Sequence, residues 1–424
     1  MGGLAVLRRA PRPSRSESES VSLWRNRDFV LLWTGQTVSV FGSTVSTLAF
    51  PLLVLAITQS PAQAGVTAFV AGLPRVVFQL PAGAWVDRWD RRRVMVGCDF
   101  GRLLAIASIP LVGVTIGVSF AQLLITALVH GTLSVFFVLA ERAALPHVVD
   151  SDALPTAVAR NQAKIQGAMI AGPPLGGLLF GISRVLPFVV DAASYVISLI
   201  TLIGIRAPLQ DPPAARTGRL RHDIAVGVRF VWADRCLRAL SLVSAAVSLL
   251  TAGIPLVFIV LATHLRASPT LIGVILGVSG AGGLLGAALA PYLVRTVAAG
   301  VLNLVGLWLW TGLILAMAMI GTAVVLGPVA AGFAVVGPAL AVVAQTRRTR
   351  LVPRRLLGRV YSVNILISRG TAPLGSLLAG LLLSSVGPST TVVILGAGLG
   401  LVALAATASP TIRHADLPET TSSH

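Results

Sequence analysis

The segment GAWVDRWDRRR, Gly83 to Arg93, holds six charged residues in eleven positions, in a chain where only 11% of residues are charged and 55% are hydrophobic. On either side the charge stops. VTAFVAGLPRVVFQLPA (66–82) precedes it with one arginine, and VMVGCDFGRLLAIASIPLVGV (94–114) follows with one Asp and one Arg. Each flank approaches or reaches the ~20 residues that cross a ~30 Å hydrocarbon layer as a helix. A short basic loop between two such segments reads as a membrane hairpin whose loop lies on the side where arginines collect.

The pattern continues in both directions. Apolar spans are expected at 28–57, 62–86, 94–117, 120–143, 157–181 and 185–205, then at 238–262, 270–292, 298–320, 322–346, 358–384 and 388–408. That is an all-α integral membrane protein with twelve transmembrane helices. The mean hydropathy of +0.86 agrees. A soluble enzyme of this length needs a charged surface, near 25% of its residues, that this chain lacks. Frequent Gly and Pro inside the spans are tolerated where neighbouring helices satisfy the freed backbone groups.

Orientation follows from the basic residues. Twenty-seven arginines fall in the termini and alternate connections on one side, and only Arg184 and Arg266 fall on the other. Both termini are therefore expected in the cytoplasm, with the chain multi-pass in the cell membrane. The net charge of +18 is mostly this asymmetry, so no nucleic-acid partner is expected. The chain divides into a disordered tail (1–24), a six-helix half (25–205), a linker (206–237), a second half (238–408) and a tail (409–424). Within the linker region, HDIAVGVRFVWADRCLRAL (222–240) has the spacing of an interfacial helix. SPAQAGV (60–66) repeats as SPTLIGV (268–274), each opening the second span of its half. ALPHVVDSDALPTAVARN (144–161) likewise resembles RLVPRRLLGRVYSVN (350–364). Six helices and six more in the same orientation form a parallel repeat.

Several chemistries are excluded. Lys164 is the only lysine, and RNQAKIQG (160–167) is no P-loop, so the chain carries no such ATPase. Cys98 and Cys236 have no metal spacing, and no HExxH or GxSxG pattern occurs. No cofactor, no metal and no enzymatic activity are expected. Residues 1–20 lack the apolar core of a signal peptide.

Gly83, Asp87, Arg88, Arg91 and Arg92 carry the strongest motif. A glycine at the end of a span permits close approach of another helix. A carboxylate there can pair with Arg or cap a helix end, forming a latch that breaks as the halves rock. The alternative is a basic topology loop with one stray Asp. The spacing resembles the signature loop of the major facilitator superfamily. NRDFVLLWTGQTVSVFG (26–42), FVVDAASYVIS (188–198) and LVPRRLLGRVYS (351–362) resemble its branch with macrolide efflux pumps and the enterobactin exporter. The resemblance implies two pseudo-symmetric six-helix bundles, and a role for Asp87 and Arg88 in holding the outward-open state. AGPPLGG (171–177) resembles the exporter signature on Gly172, Pro173, Gly176 and Gly177. Ordinary small-residue packing is the other reading. The arginine that superfamily drug antiporters often carry in the fourth span has no counterpart in HGTLSVFF (130–137).

Ionisable residues inside spans are functional candidates by default. They are Arg75, Asp99, Arg102, His130, Lys164, Asp191 and Arg369. Asp99 and Arg102, three apart, can pair on one helix face. Arg75 lies near mid-depth. Lys164 and Arg369 fall close to the repeat offset, so they can hold an anionic group or an acidic partner beside a central cavity, or reach to the interface. Asp191 lies inside the sixth span with no cation within one helical turn, and His130 carries a group that titrates near neutrality. These two are the candidates to carry a proton. The alternative for Asp191 is a hydrogen bond to the backbone or Ser194 that only fixes packing.

The reading as a whole is a secondary transporter in the lipid bilayer, working as a monomer. It exports a small amphipathic or hydrophobic compound, such as a drug, siderophore or secondary metabolite, against protons. The alternative is a non-transporting membrane sensor or assembly protein that keeps the fold. Cysteines placed at Ser22, Thr217 and Ser422 are expected to resist membrane-impermeant thiol reagents in intact cells. Labelling of any one from outside overturns the orientation.

Overall fold

The computed structural model describes residues 20–210, 220–352, 360, 363, 365–367 and 370–409. After a short helix α1 (Ser20–Arg25), the first half contains α2 (Arg27–Thr58), α3 (Pro61–Val86), α4 (Arg91–Thr115), α5 (Phe120–Val148), α6 (Leu154–Ile182) and α7 (Leu186–Gly204). Helix α8 (Leu220–Ala233) leads into the second half. That half has α9 (Arg235–Thr251), α10 (Ile254–His264), α11 (Pro269–Thr296), α12 (Ala299–Met317), α13 (Leu326–Leu351), α14 (Ala372–Ser385) and α15 (Gly387–Ala408). Eleven of the described spans are long and apolar enough to cross a membrane, α9 and α10 counting as one. The twelfth, α3, has 26 residues with Arg75 as its single charge.

Two expectations change at the junction of the halves. The helical pattern over 222–240 is not one helix. Asp234 breaks it, because its side chain accepts the Leu237 N–H at 2.8 Å and caps α9. The seventh span is also interrupted, at Ala252–Gly253, where Gly253 packs against the Gly375 carbonyl and Ala379 of α14. The sequence repeat returns as a pair of matching helix starts. Ser60 caps α3 and Ser268 caps α11, each followed by proline at the first helical position, where its missing N–H has no cost.

Within the first half, α2 packs on α6 and α7, and α4 packs on α5 and α7. In the second, α11 packs on α13, and α12 on α13 and α15. The halves meet along α3–α14 and α6–α11. Helix direction divides the bundle into an arginine-rich end, bearing residues 87–93, and an arginine-poor end, bearing residues 59–60 and 265–268. Among the described residues, the close contacts between halves concentrate from mid-depth to the arginine-poor end. A Cβ at Gly65 would stand 2.8 Å from the Gly380 Cα and 2.9 Å from the Ser376 carbonyl. A Cβ at Gly273 would collide with the Pro173 carbonyl and stand 3.1 Å from the Pro174 Cα. Gly65 and Gly273 occupy the same position in the repeat, so one constraint closes both seams. Small residues let helix backbones approach this closely.

Gly65→Leu or Gly273→Leu is expected to prise this end open. A cysteine at Thr67 should then become reactive to an impermeant thiol reagent added on the arginine-poor side. Unchanged labelling would place the seal elsewhere.

Candidate functional site

Beneath the seal lies a cavity of about 370 Å³ contributed by both halves. Its wall is mostly Ala, Leu, Ile, Phe and Pro, with hydroxyls from Ser43, Thr44, Ser46, Thr47, Thr67 and Ser376, and the imidazole of His130. None of the described lining residues is Asp, Glu, Lys or Arg. Ala64, Ala68 and Ala71 present one face of α3 to the cavity. Arg75 follows Ala71 by one turn on that face, exposed, toward the arginine-rich end.

Behind the cavity the first half holds a continuous polar chain. Arg102 donates a hydrogen bond to Asp99 Oδ1, and both are buried. The pairing foreseen from their spacing is therefore present, but it has further partners. Ser198 donates to Asp99 Oδ2 at 2.5 Å, and Gln36 donates to Ser198 at 2.9 Å. The Arg102 guanidinium lies 4.1 Å from the Phe137 ring centroid and 4.9 Å from that of Tyr195, cation–π contacts that retain the charge in an apolar setting. Tyr195 Oη stands 2.8 Å from His130 Nε2 and 2.9 Å from Ser43 Oγ. Ser43 donates to Asp191 Oδ1 at 3.4 Å, and Ser194 donates to the Asp191 backbone carbonyl at 2.7 Å with Oδ1 3.4 Å away. Asp191 Oδ2 and Ser46 Oγ, which stand beside each other, are buried without a partner in hydrogen-bonding geometry. Gly42 makes room: a Cβ there would be 3.0 Å from Asp191 Oδ1. Asp191 is thus neither isolated nor fully satisfied.

Lys164 is not a free cation beside the cavity. Its Nζ lies 2.9 Å from Glu141 Oε1, and only 2% of its side chain is exposed. Glu141 is a partner the sequence reading missed. It lies eleven residues after His130, three turns along the same face of α5, and that spacing was the available signal. Arg369 lies outside the described residues. Tyr195, the hub of the network, also went unnoticed, since a lone Tyr in an apolar span gives no pattern.

The motif loop works locally. Arg91 Nη1 donates to the Ala143 carbonyl at 3.0 Å and the Leu209 carbonyl at 3.1 Å. Arg92 donates to the Ile203 carbonyl. Cations thereby satisfy carbonyls at and beyond the ends of α5 and α7, favourable positions for positive charge. Asp90 caps α4, accepting the Arg93 N–H at 3.0 Å. Asp87 and Arg88 are exposed. Among the described residues, no atom would lie within 4 Å of a Cβ at Gly83. In AGPPLGG the small residues divide their work. Gly172 and Gly176 admit Thr44 and Val45 of α2, whereas Pro173, Pro174 and Gly177 form the seam with α11. Among the described residues no group of three or more His, Cys, Asp or Glu side chains is placed to hold a metal ion.

Two repeated six-helix halves closed over a central cavity define a secondary transporter of the major facilitator superfamily. Residues 18–424 match the transmembrane secretion effector family, and the chain belongs to it. It is 29% identical over 401 residues to the multidrug efflux pump Tap of Mycolicibacterium fortuitum, covering 89% of this chain and 94% of that protein. It is 24% identical over 191 residues to macrolide efflux protein A of Streptococcus pyogenes, covering 45% and 47% of the two chains. The crystal structure of the nucleoside transporter NupG (D323A mutant) shares the fold, with a TM-score of 0.77 at 10% identity over 90% of this chain and 98% of that one. The chain is a transporter of the efflux branch.

Breaking a buried ion pair on one side typically costs about 3–5 kcal/mol, whereas replacing both partners with apolar groups is often neutral. Lys164→Met is therefore expected to lower thermal stability in detergent, and Lys164→Met/Glu141→Leu to restore it. A double variant as unstable as the single one would show that Lys164 serves a partner other than Glu141.

Proposed function

We propose that the chain exports small amphipathic or hydrophobic compounds across the cell membrane in exchange for protons, with its arginine-rich end in the cytoplasm. The cavity wall carries this reading. An apolar lining with scattered hydroxyls and no described charged residue suits neutral or weakly polar compounds, and its volume matches a small ligand. In this orientation the seal through Gly65 and Gly273 faces outward, so substrate enters from the cytoplasm past Arg75. Macrolide and multidrug efflux by relatives supports the substrate class. Asp87 and Arg88 are poised to latch the cytoplasmic end in the opposite state. The segment 206–210 and α8 form the cytoplasmic connection between the halves.

Proton coupling is assigned to the first half. Its core holds Asp99, Arg102, Lys164 and Asp191, whereas the buried polar residues described in the second half are Ser241, Thr311 and Thr391. Buried ionisable groups in a membrane are costly and mark ion pathways. Inside-out vesicles with an acidic interior should accumulate radiolabelled erythromycin or ethidium, and a protonophore should abolish it. Failure with both compounds would remove the export reading.

Two variants refine it. Asp87→Asn should reduce transport about tenfold, equivalent to ~1.4 kcal/mol in the balance of states, at unchanged membrane protein level. Full activity would return the motif to a topology signal. Asp191→Asn and His130→Gln should each alter the dependence of transport on external pH. If both keep the wild-type profile, the coupling site lies elsewhere.

A further inference from the structure

We propose that Tyr195 and Ser43 relay protons between His130, which lines the cavity, and Asp191, which is sealed from it. This inference rests on the proton-coupled reading and names the path within it. Asp191 and Tyr195 are fully buried, whereas His130 and Ser43 belong to the cavity wall. The three links are 2.8 Å from His130 Nε2 to Tyr195 Oη, 2.9 Å from Tyr195 Oη to Ser43 Oγ, and 3.4 Å from Ser43 Oγ to Asp191 Oδ1.

Polarity fixes the direction. A carboxylate only accepts, so Ser43 spends its single proton on Asp191. Ser43 must then accept from Tyr195, and Tyr195 must accept from His130 Nε2–H. Every donor in the chain points toward Asp191. When His130 takes a proton from cavity water at Nδ1, it can release the one at Nε2. The Nε2–H bond breaks as a Tyr195 O–H bond forms. Tyr195 passes its original proton to Ser43, and Ser43 passes its own to Asp191 Oδ1. Each hydroxyl ends neutral, His130 returns to its neutral form with the proton on Nδ1, and the carboxylate becomes a carboxylic acid. Loss of the Asp191 proton, rotation of the two hydroxyls and return of His130 to its Nε2–H tautomer reset the chain.

The charges around this path are few. On α4, Arg102 stacks on the Tyr195 ring and pairs with Asp99, with Cys98 beside it. On α5, Glu141 lies further along the His130 face, neutralised by Lys164 of α6. Helix α3 contributes Arg75 toward the cavity mouth, and α7 has no ionisable group besides Asp191 and Tyr195. Helix α2 contributes hydroxyls here, Ser43 and Ser46. Ser46 Oγ, also on the cavity wall, stands beside Asp191 and offers a second, shorter route to the carboxylate, whereas the chain of hydrogen-bonded links runs through Tyr195.

The test needs no substrate. Full-length protein in detergent is subjected to a pH jump, and the carboxylic-acid carbonyl band of Asp191 is followed by time-resolved infrared spectroscopy. Asp191→Asn identifies the band. Tyr195→Phe keeps the ring beneath Arg102 and removes only the hydroxyl; Ser43→Ala interrupts the next link. Each should slow protonation of Asp191 by about a hundredfold, the lower end of the ~10²–10⁴-fold contributed by a positioned proton-transfer group, with the end-point titration little changed. Wild-type rates in both variants, or slowing by Ser46→Ala alone, would assign a direct path past Ser46 and overturn the relay. Absence of an Asp191 band between pH 5 and pH 9 in the wild-type protein would overturn the assignment of coupling to Asp191 itself, and the relay with it.

Discussion

Two helices bring their backbones together only where neither presents a side chain, and the halves of this transporter meet on that condition. Gly65 stands against Gly380, and Gly273 against the Pro173–Pro174 step of α6. In a lipid environment there is little hydrophobic gain from pairing apolar helices, so close van der Waals contact does the work. That contact also locates the cavity. Beneath the convergence of α3, α6, α11 and α14, those helices together with α2, α5 and α10 enclose a chamber. A Cβ at either seam would push it open, because a close-packed interface does not absorb added volume.

The two halves share a topology and one apolar core, but differ in the charge they bury. In the second half the buried side chains are almost entirely apolar, such as Leu307, Ile314, Leu395 and Leu399. In the first, α2, α4, α5 and α7 enclose charges that only mutual pairing makes tolerable. Arg102 is held by Asp99 and by two aromatic faces; Lys164 is held by Glu141. Such pairs contribute little net stability because desolvation offsets attraction. Among the described residues these buried charges lie in the first half, while both halves shape the cavity.

The arginines of the motif loop illustrate a similar economy. Arg91 and Arg92 bond carbonyls at helix ends on the same half, while Asp87 and Arg88 remain exposed. One sequence motif thus contains a part that satisfies helix-end carbonyls and a part that stays exposed at the same end. The spacing of GAWVDRWDRRR alone does not separate these parts, because both are served by charge at a membrane boundary.

The sequence by itself determined the spans, the repeat and the family. These depend on runs of hydrocarbon-compatible residues and on serine–proline helix starts, which are local properties. The 60–66 and 268–274 repeat even marked Gly65 and Gly273, though not what they touch. The Asp99–Arg102 pair was legible because it lies within one helical turn. Only the tertiary structure decided the rest. Lys164 meets Glu141, His130 meets Tyr195, and Ser43 meets Asp191 across separations of 23, 65 and 148 positions. A break such as Ala252–Gly253 was likewise hidden, since hydropathy is continuous through it while the backbone is set by Gly375 and Ala379 of another helix. Side-chain chemistry is written locally, but in a bundle its partners are chosen by which helix faces come together, and that depends on the packing of all the helices at once.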